Sequence, residues 1–285
     1  MRIIALVSFI IGLFLIAYPY VSDYLNKQQL NAVMDTQDEK IEQIAKHDTT
    51  KVDKEMKRAL SYNESLCKGT NVISDPFDPN RSAVSDKDYM ECLNILGDNV
   101  MGHITIPSIN IKLPIYHTVN DDVLQMGVGH LETTSLPCGG TTSHCVLTGH
   151  TGLPSVEIFD QLDKLKKGDY FVLNILGQDH AYKVYDIQTV LPSNTQSLGL
   201  VKGKDLCTLV TCTPYGINSH RLLVHGERID VPKDYYEVNS DNTPQFSRKT
   251  NSIFTYSLIG IIAGMLVFYL YKKYIDYKKF SSRKH

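Results

Sequence analysis

The chain has 285 residues, of which 42% are hydrophobic and 21% are charged, and its formal net charge is -2. This balance produces no global basic field, so it argues against nucleic acid as a partner. The composition is that of a folded protein without low-complexity tracts. No sequence repeat of fixed period is present, which excludes a solenoid or a propeller.

Two uncharged runs lie near the chain ends, at residues 3–21 and 253–271. As helices, each would span roughly 28 Å, about the thickness of a hydrocarbon core. The first could instead be a cleaved signal peptide, but Ala17-Tyr18-Pro19 is a poor cleavage site. Basic residues precede the first run and follow the second, at Arg2, Lys272, Lys273, Lys278, Lys279, Arg283 and Lys284. We therefore predict two spans of a cytoplasmic membrane, with both termini cytoplasmic and residues 22–252 outside.

After the first run, residues 24–60 have apolar positions spaced by three and four, typical of a helical arm, with a break near 47–50. Residues 61–85 have loop composition, and 86–96 could form a short helix.

From Gly102 onward the pattern becomes β-like, and residues 177–180 form a predicted hairpin turn. Many short strands separated by Gly and Pro favour a closed β-barrel over a βαβ sheet, so we expect a mainly β fold. The strands predicted from this pattern are 104–106, 111–115, 170–176, 181–190, 206–211 and 221–229.

The six cysteines lie at positions where disulfides would be permitted outside the membrane. Cys67 with Cys92, and Cys138 with Cys145, are plausible pairs, although sequence cannot fix connectivity. Zinc is a competing hypothesis for Cys138, His144, Cys145 and His150, but the spacing of these residues does not match a zinc motif. We predict no metal and no cofactor.

Three residues could carry chemistry. Cys212 ends a predicted strand, His150 lies between two glycines, and Arg221 opens the following strand. Adjacent strands ending at one rim would bring Cys212 and Arg221 together. A thiolate, an imidazolium and a guanidinium suffice for acyl transfer. The alternative is that such Cys and His residues are simply buried in the sheet.

These segments resemble a known family. The run Thr208-Leu209-Val210-Thr211-Cys212, followed by Arg221, resembles the TLxTC...R signature of sortases, and Leu147-Thr148-Gly149-His150 resembles their histidine segment. The stretches 110–114 and 127–140 resemble the class C sortases, which polymerise pilin subunits. The similarity covers about residues 100–229.

The resemblance implies an eight-stranded sortase β-barrel with short helices, in which His150, Cys212 and Arg221 form the catalytic triad. It also implies that the substrate is a pilin or surface protein with an LPxTG-like signal, cut after Thr to give a thioacyl enzyme. A lysine amine of another pilin would then resolve that intermediate.

Class C sortases also carry an N-terminal lid marked by Asp-Pro-aromatic, which Asp75-Pro76-Phe77 resembles. We expect Asp75 to pair with Arg221 and Phe77 to cover the Cys212 sulfur. An ordinary Asp-Pro turn is the alternative. A Cys67–Cys92 disulfide would tether this lid at both ends.

Some residues depart from the family or compete for these roles. Thr151 stands where many class C members have Arg. Cys207 has odd spacing to Cys212 and should face the other side of the sheet as a core thiol. His130 and His220 are interpreted as structural or loop residues.

The predicted organisation divides the chain into seven parts. They are an anchor at 1–23, a helical arm at 24–66, a lid region at 67–98, a catalytic barrel at 99–230, a linker at 231–250, a second span at 251–273 and a basic tail at 274–285. Three other functions stay open: a housekeeping sortase that anchors proteins to cell-wall peptide, a hydrolytic cysteine protease, and a non-catalytic, membrane-tethered binding β-domain.

Overall fold

The fold is taken from a computed structural model of the chain. It describes residues 2–69, 72–78, 81, 86–233 and 235–236. The chain divides into two compact units, 1–241 and 242–285, and the second unit lies outside the described residues. The predicted linker beyond 236, the second span and the basic tail therefore also lie outside them.

The N-terminal arm consists of two helices, α1 (Arg2–His47) and α2 (Thr49–Leu66). They are separated at Asp48, whose side chain caps α2 by accepting a hydrogen bond of 3.1 Å from the Thr50 amide. The predicted helix and the predicted break near 47–50 are both confirmed. One further short helix, α3 (Lys87–Glu91), is much shorter than the predicted 86–96.

Within the described part of the chain, no helix is both long enough and apolar enough to cross a membrane. Most side chains of residues 1–20, and all of the predicted span at 253–271, lie outside the described residues.

Eight strands close into a barrel in the order β1-β2-β3-β4-β7-β8-β6-β5, which confirms the closed barrel predicted by the β pattern and the eight strands implied by the resemblance. Two neighbouring pairs, β2 with β3 and β4 with β7, are parallel, and the other pairs are antiparallel. A fourth helix, α4 (Asp121–Leu124), precedes β3. The strands are β1 (Val100–Ile106), β2 (Ile111–His117), β3 (Val128–His130), β4 (Ser143–Thr148), β5 (Tyr170–Ile175), β6 (Gln178–Val190), β7 (Asp205–Thr213) and β8 (His220–Ile229).

Two of these strands, β3 and β4, are absent from the strands predicted by sequence. β3 is only three residues long, and β4 is buried at every position, so neither shows the apolar–polar alternation of a half-buried strand. The predicted 177–180 turn is tighter than expected because β6 already begins at Gln178.

The cysteines do not form the predicted disulfides, because all six thiols are free. Cys138 lies 3.4 Å from the Asn63 side-chain nitrogen, whereas Cys145 faces Cys207 across β4 and β7. Cys67 is exposed and donates to the Thr142 carbonyl, whereas Cys92 is buried. The Cys67–Cys92 and Cys138–Cys145 pairings are therefore wrong. Cys207 is a fully buried core thiol, as predicted.

Candidate active site

Cys212 and Arg221 are direct partners across the antiparallel pair β7 and β8. Cys212 is the penultimate residue of β7, and Arg221 is the second residue of β8, so both lie at the same end of the barrel. Cys212 is only 8% exposed. Placing the two side chains on regular strands fixes them more firmly than a loop would. The sequence prediction that adjacent strand ends bring these residues together is confirmed.

His150 follows the end of β4, which runs parallel to β7. The amide of Gly149 extends this pairing by donating to the Val210 carbonyl at 3.1 Å. The Thr211 hydroxyl donates to the Gly149 carbonyl at 2.7 Å and lies 2.6 Å from the Thr151 hydroxyl. Thr211, the residue before Cys212, is thus hydrogen-bonded to the residues on both sides of His150. These bonds place the histidine at the Cys212 end of the barrel.

Residues 149–161 form the histidine loop, which connects β4 to a short 3-10 helix at Leu162–Lys164. Phe159 donates its amide to the His150 carbonyl at 3.0 Å. Asp160 accepts from the amides of Gly152 and Ile158 at 2.9 and 3.1 Å. A Cβ at Gly149 would lie 2.7 Å from a Phe159 ring carbon, so only glycine fits there.

The segment Asp75-Pro76-Phe77 lies over this site. The Asp75 carboxylate accepts two hydrogen bonds from Arg221, at 2.8 Å from Nε and 2.6 Å from Nη2. This bidentate geometry is the strongest arrangement between a guanidinium and a carboxylate. The predicted Asp75–Arg221 pair is confirmed.

Phe77 lies against two members of the predicted triad. Its ring centroid is 5.4 Å from that of His150 and 5.0 Å from Cζ of Arg221. The ring is also packed against an apolar cluster that includes Leu124 and Val210. The predicted contact between Phe77 and the Cys212 sulfur stays a prediction.

Two further contacts hold the segment on either side of the tripeptide. The Thr195 hydroxyl donates to the Ile73 carbonyl at 3.0 Å. Arg81 bonds Glu132 through two nitrogens, at 2.6 and 3.2 Å, and the two side chains are 8% and 0% exposed. We call residues 72–81 the lid, although residues 79 and 80 within it are not described.

The electrostatics of this closed arrangement favour the neutral forms of the thiol and the imidazole. Burial raises the pKa of the Cys212 thiol; Arg221 opposes that effect and Asp75 adds to it. Burial lowers the pKa of His150, and Asp121 opposes it. Burial acts to lower the pKa of Arg221, but the hydrogen bonds from Arg221 to Asp75 and the charge interactions with Cys212 and Asp75 together outweigh it, so the net effect is a raised pKa.

His130, which competes with His150 for the role of base, is hydrogen-bonded elsewhere, and so is His144 of the zinc hypothesis. His130 is fully buried, with its ring nitrogens 3.0 Å from the Tyr89 hydroxyl and 2.8 Å from the Ser135 carbonyl. His144 is bonded to Thr208 and to the Gly199 carbonyl. Among the residues that the structure describes, no group of three or more His, Cys, Asp or Glu side chains is placed to hold a metal ion.

Sequence reasoning missed the contacts that hold the lid and the histidine loop in place. Arg81 and Glu132 are 51 residues apart, and although Glu132 lies in the family-like stretch 127–140, nothing in the sequence indicates that the two pair. Asp160 could have been suspected, because an aspartate often accepts hydrogen bonds from nearby loop amides. Thr211 lies inside the resemblance to the sortase signature, but its two bonds depend on β4 and β7 being neighbours.

Comparison with known proteins gives the same fold. Residues 104–229 match a family model described as "Sortase domain". The crystal structure of sortase C-1 from Actinomyces oris is 49% identical, with a TM-score of 0.60, and the match covers 64% of this chain and 99% of that one. A Streptococcus pneumoniae sortase C structure is 41% identical, with a TM-score of 0.65, over 70% of this chain and 97% of that one.

Curated relatives are more distant. Sortase A of Bacillus anthracis is 25% identical over 229 residues, covering 80% of this chain and 93% of the relative. Sortase A of Streptococcus agalactiae is 29% identical over 157 residues, or 54% of this chain, and the match spans only 62% of that relative's length.

A closed eight-stranded barrel that carries a cysteine and an arginine on paired strands, with a histidine at the same end, defines the class of β-barrel cysteine acyltransferases. The chain belongs to the sortase family, whose members are cysteine transpeptidases.

Proposed function

We propose that this protein is a pilus-assembling sortase, which cuts an LPxTG-like signal of one pilin and joins it to a lysine amine of another. The observation that carries the proposal is the lid, in which Asp75 holds the guanidinium of Arg221 and Phe77 stacks on His150. A segment that binds two of the three candidate catalytic side chains occupies the space that a substrate needs. Similarity to class C sortase structures, at 41–49% identity, supports the same assignment.

In this proposal, Cys212 is the nucleophile. Its thiolate attacks the threonine carbonyl of the signal, and Arg221 donates hydrogen bonds to the oxyanion that forms. The bond between threonine and glycine then breaks, and the glycine amine leaves with a proton from the His150 imidazolium. The product of this half-reaction is a thioester on Cys212.

In the second half-reaction, His150 acts as a base instead of an acid. A lysine amine attacks the thioester carbonyl and gives up a proton to neutral His150, and the carbon–sulfur bond breaks to release the Cys212 thiolate. An isopeptide bond joins the two proteins. The lowered pKa of His150 suits this step, because a neutral imidazole is the form that accepts a proton.

The location that suits this activity is the outer face of the cytoplasmic membrane. The sequence pattern of two apolar runs with basic flanks supports two spans, with the barrel outside and both termini inside. The substrates and the acceptor would then be secreted proteins held at the same surface. The S. pneumoniae sortase C structure is described as giving insight into pilin substrate specificity, which supports a pilin substrate here.

A second candidate function is anchoring of surface proteins to cell-wall peptide. It is favoured by the curated relatives, which include Sortase A of B. anthracis and of S. agalactiae. The two functions share the thioacyl step and differ only in the amine that resolves it.

The experiment that tests the proposal uses the full chain in detergent micelles, mixed with an LPxTG peptide. Mass spectrometry would look for a thioacyl adduct on Cys212 and for product with either a pilin-derived lysine peptide or a cell-wall peptide amine. We expect an adduct and transfer to the lysine. Transfer only to the cell-wall amine would favour the second function. Release of free acid alone would point to a hydrolase, and no adduct with any signal peptide would contradict both functions.

A further inference from the structure

The long N-terminal helix does more than dock on the barrel, because one short segment of it contacts the histidine loop. Asp23 is buried in α1 and accepts the backbone amide of Glu157 at 3.1 Å. The Asn26 side chain donates to the Ser155 carbonyl at 2.9 Å. Lys27 lies 3.0 Å from Asp23 and 3.2 Å from the Glu157 carboxylate. We call Asp23, Asn26 and Lys27 the helix clamp.

The clamp supplies hydrogen-bond partners for the backbone of the histidine loop. Residues 151–158 form no regular helix or strand, so their backbone groups need bonds from elsewhere. Two of the clamp contacts reach backbone atoms on either side of Val156, whose side chain is buried in the core. The loop is thereby held from both sides, by the helix outside and by the core inside.

From the clamped residues, the contacts continue directly to the candidate base. Ile158 and Phe159 immediately follow Glu157, and both would collide with any side chain at Gly149. The Phe159 amide donates to the His150 carbonyl at 3.0 Å. Asp160 ties Ile158 to Gly152, two residues beyond His150. A displacement of residues 155–157 would therefore shift the backbone on both sides of His150.

We propose that Asp23, Asn26 and Lys27 of α1 are positioning residues for His150, acting through residues 155–160 of the histidine loop. The proposal rests on the proposed role of His150 in proton transfer. Proton transfer needs hydrogen-bond geometry, and a misplacement of about 1 Å can cost about a hundredfold in rate. Loss of the clamp lowers the rate of the chemical step and leaves Cys212 and Arg221 in place on their paired strands.

The same helix offers a matched control. Gln37 donates to the Asp98 carboxylate, at 2.9 Å to each oxygen, so it docks α1 on the residues before β1. Gln37→Ala removes a docking contact of similar kind that does not reach the histidine loop. Asp23→Asn is the conservative variant, because its amide oxygen can still accept the Glu157 amide.

The test compares Asp23→Ala, Asn26→Ala, Asp23→Asn and Gln37→Ala in the full chain, each with Asp75→Ala added so that lid opening does not limit the rate. We expect the two clamp alanine variants to lower kcat about tenfold, with KM within about twofold. Hydrogen exchange should become faster at the amides of Gly152, Ile158 and Phe159. Asp23→Asn should keep most of the activity, and Gln37→Ala should keep all of it.

Several results would overturn the clamp. These are an unchanged kcat in Asn26→Ala, an equal loss in Gln37→Ala, or exchange that stays slow in the histidine loop of Asp23→Ala. An increase of KM alone would also count against it, because the clamp is expected to act on the chemical step. If the Asp75→Ala chain with an intact clamp forms no thioacyl adduct, the proposed function fails, and hydrogen exchange still decides whether the clamp holds the loop.

Discussion

Asp75 holds Arg221 through two hydrogen bonds of 2.8 and 2.6 Å, and Arg221 is also the cross-strand partner of Cys212. One guanidinium is therefore shared between the lid and the candidate nucleophile. A substrate oxyanion that needs the same N–H donors must displace the Asp75 carboxylate. Under the proposed function, this competition makes the lid an internal inhibitor of the site it covers.

Removing the carboxylate should open the site. In Asp75→Ala, we expect thioacylation of Cys212 to rise by between about ten- and a hundredfold, because charge-assisted hydrogen bonds contribute about 1.5–3 kcal/mol. The measurement is the rate of adduct formation with an LPxTG peptide. Asp78→Ala, at an exposed carboxylate of the same lid, is the control and should change little. Equal rates in the Asp75 variant and the unaltered chain would contradict an inhibitory lid.

The closed lid should also alter the pH dependence of the thiol. Burial and Asp75 both raise the pKa of Cys212, and only Arg221 lowers it. Since the thiolate is the reactive form, a raised pKa moves reactivity to higher pH. In Asp75→Ala both raising effects weaken, so the midpoint of Cys212 alkylation against pH should move to lower pH. Alkylation at Cys67, which is exposed, serves as the internal control. A midpoint that stays constant or rises would be the contrary result.

The proposed triad predicts a large and selective loss of ligation. We expect Cys212→Ala and His150→Ala to reduce ligation by about a thousandfold or more, because groups that act as a unit cannot replace one another. His220→Ala is the control for the histidine, since His220 adjoins Arg221 but bonds the Ser219 hydroxyl. Circular dichroism should show the folded barrel in all three variants. Full ligation by the His150 variant would remove His150 from the mechanism.

The residues that the sequence identified are those whose position follows from local pattern. The end of β7 and the start of β8 can be read from apolar runs, so the meeting of Cys212 and Arg221 is predictable from strand order. Asp75 and Phe77 could be assigned only by resemblance, since a loop carries no periodicity that would indicate where it folds back.

The errors concern contacts between distant segments. The Cys67–Cys92 and Cys138–Cys145 pairs were inferred from separation along the chain, whereas Cys145 is placed opposite Cys207 by the parallel pairing of β4 with β7. That pairing joins strands separated by more than fifty residues, and no local signal encodes it. The bonds from α1 to Ser155 and Glu157 were missed for the same reason.

The buried ion pair beyond the tripeptide should act as a second latch of the lid. Glu132 is fully buried against Arg81, and breaking such a pair from one side costs about 3–5 kcal/mol. In Arg81→Ala, the lid can detach from the barrel. Water then reaches Glu132, and the cost of an unpaired buried charge is removed. We therefore expect faster Cys212 alkylation in Arg81→Ala, with little change in the unfolding of the barrel.

The control for this latch is the exposed pair of Arg58 with Glu91, which has a similar distance of 2.9 Å. Exposed pairs contribute only about 0–1 kcal/mol, so Arg58→Ala should leave Cys212 reactivity unchanged. Replacing both Arg81 and Glu132 by apolar residues should restore slow alkylation, since no buried charge is then left unpaired. Fast alkylation in that double variant would mean that the ion pair itself, and not the unpaired Glu132, decides lid closure.

The hydroxyl of Thr211 should matter because it joins the strand of Cys212 to the segment of His150. It donates to the Gly149 carbonyl at 2.7 Å and lies 2.6 Å from the Thr151 hydroxyl. Thr211→Val keeps the shape of the buried side chain but leaves both partners without this bond, at a cost of about 1–3 kcal/mol. We expect kcat for ligation to fall about tenfold or more, whereas Thr211→Ser should retain most of it. Thr213→Val, at the end of the same strand, is the control. If Thr211→Val and Thr211→Ser were equally active, the bond would contribute only to stability, and the placement of His150 would depend on the histidine loop alone.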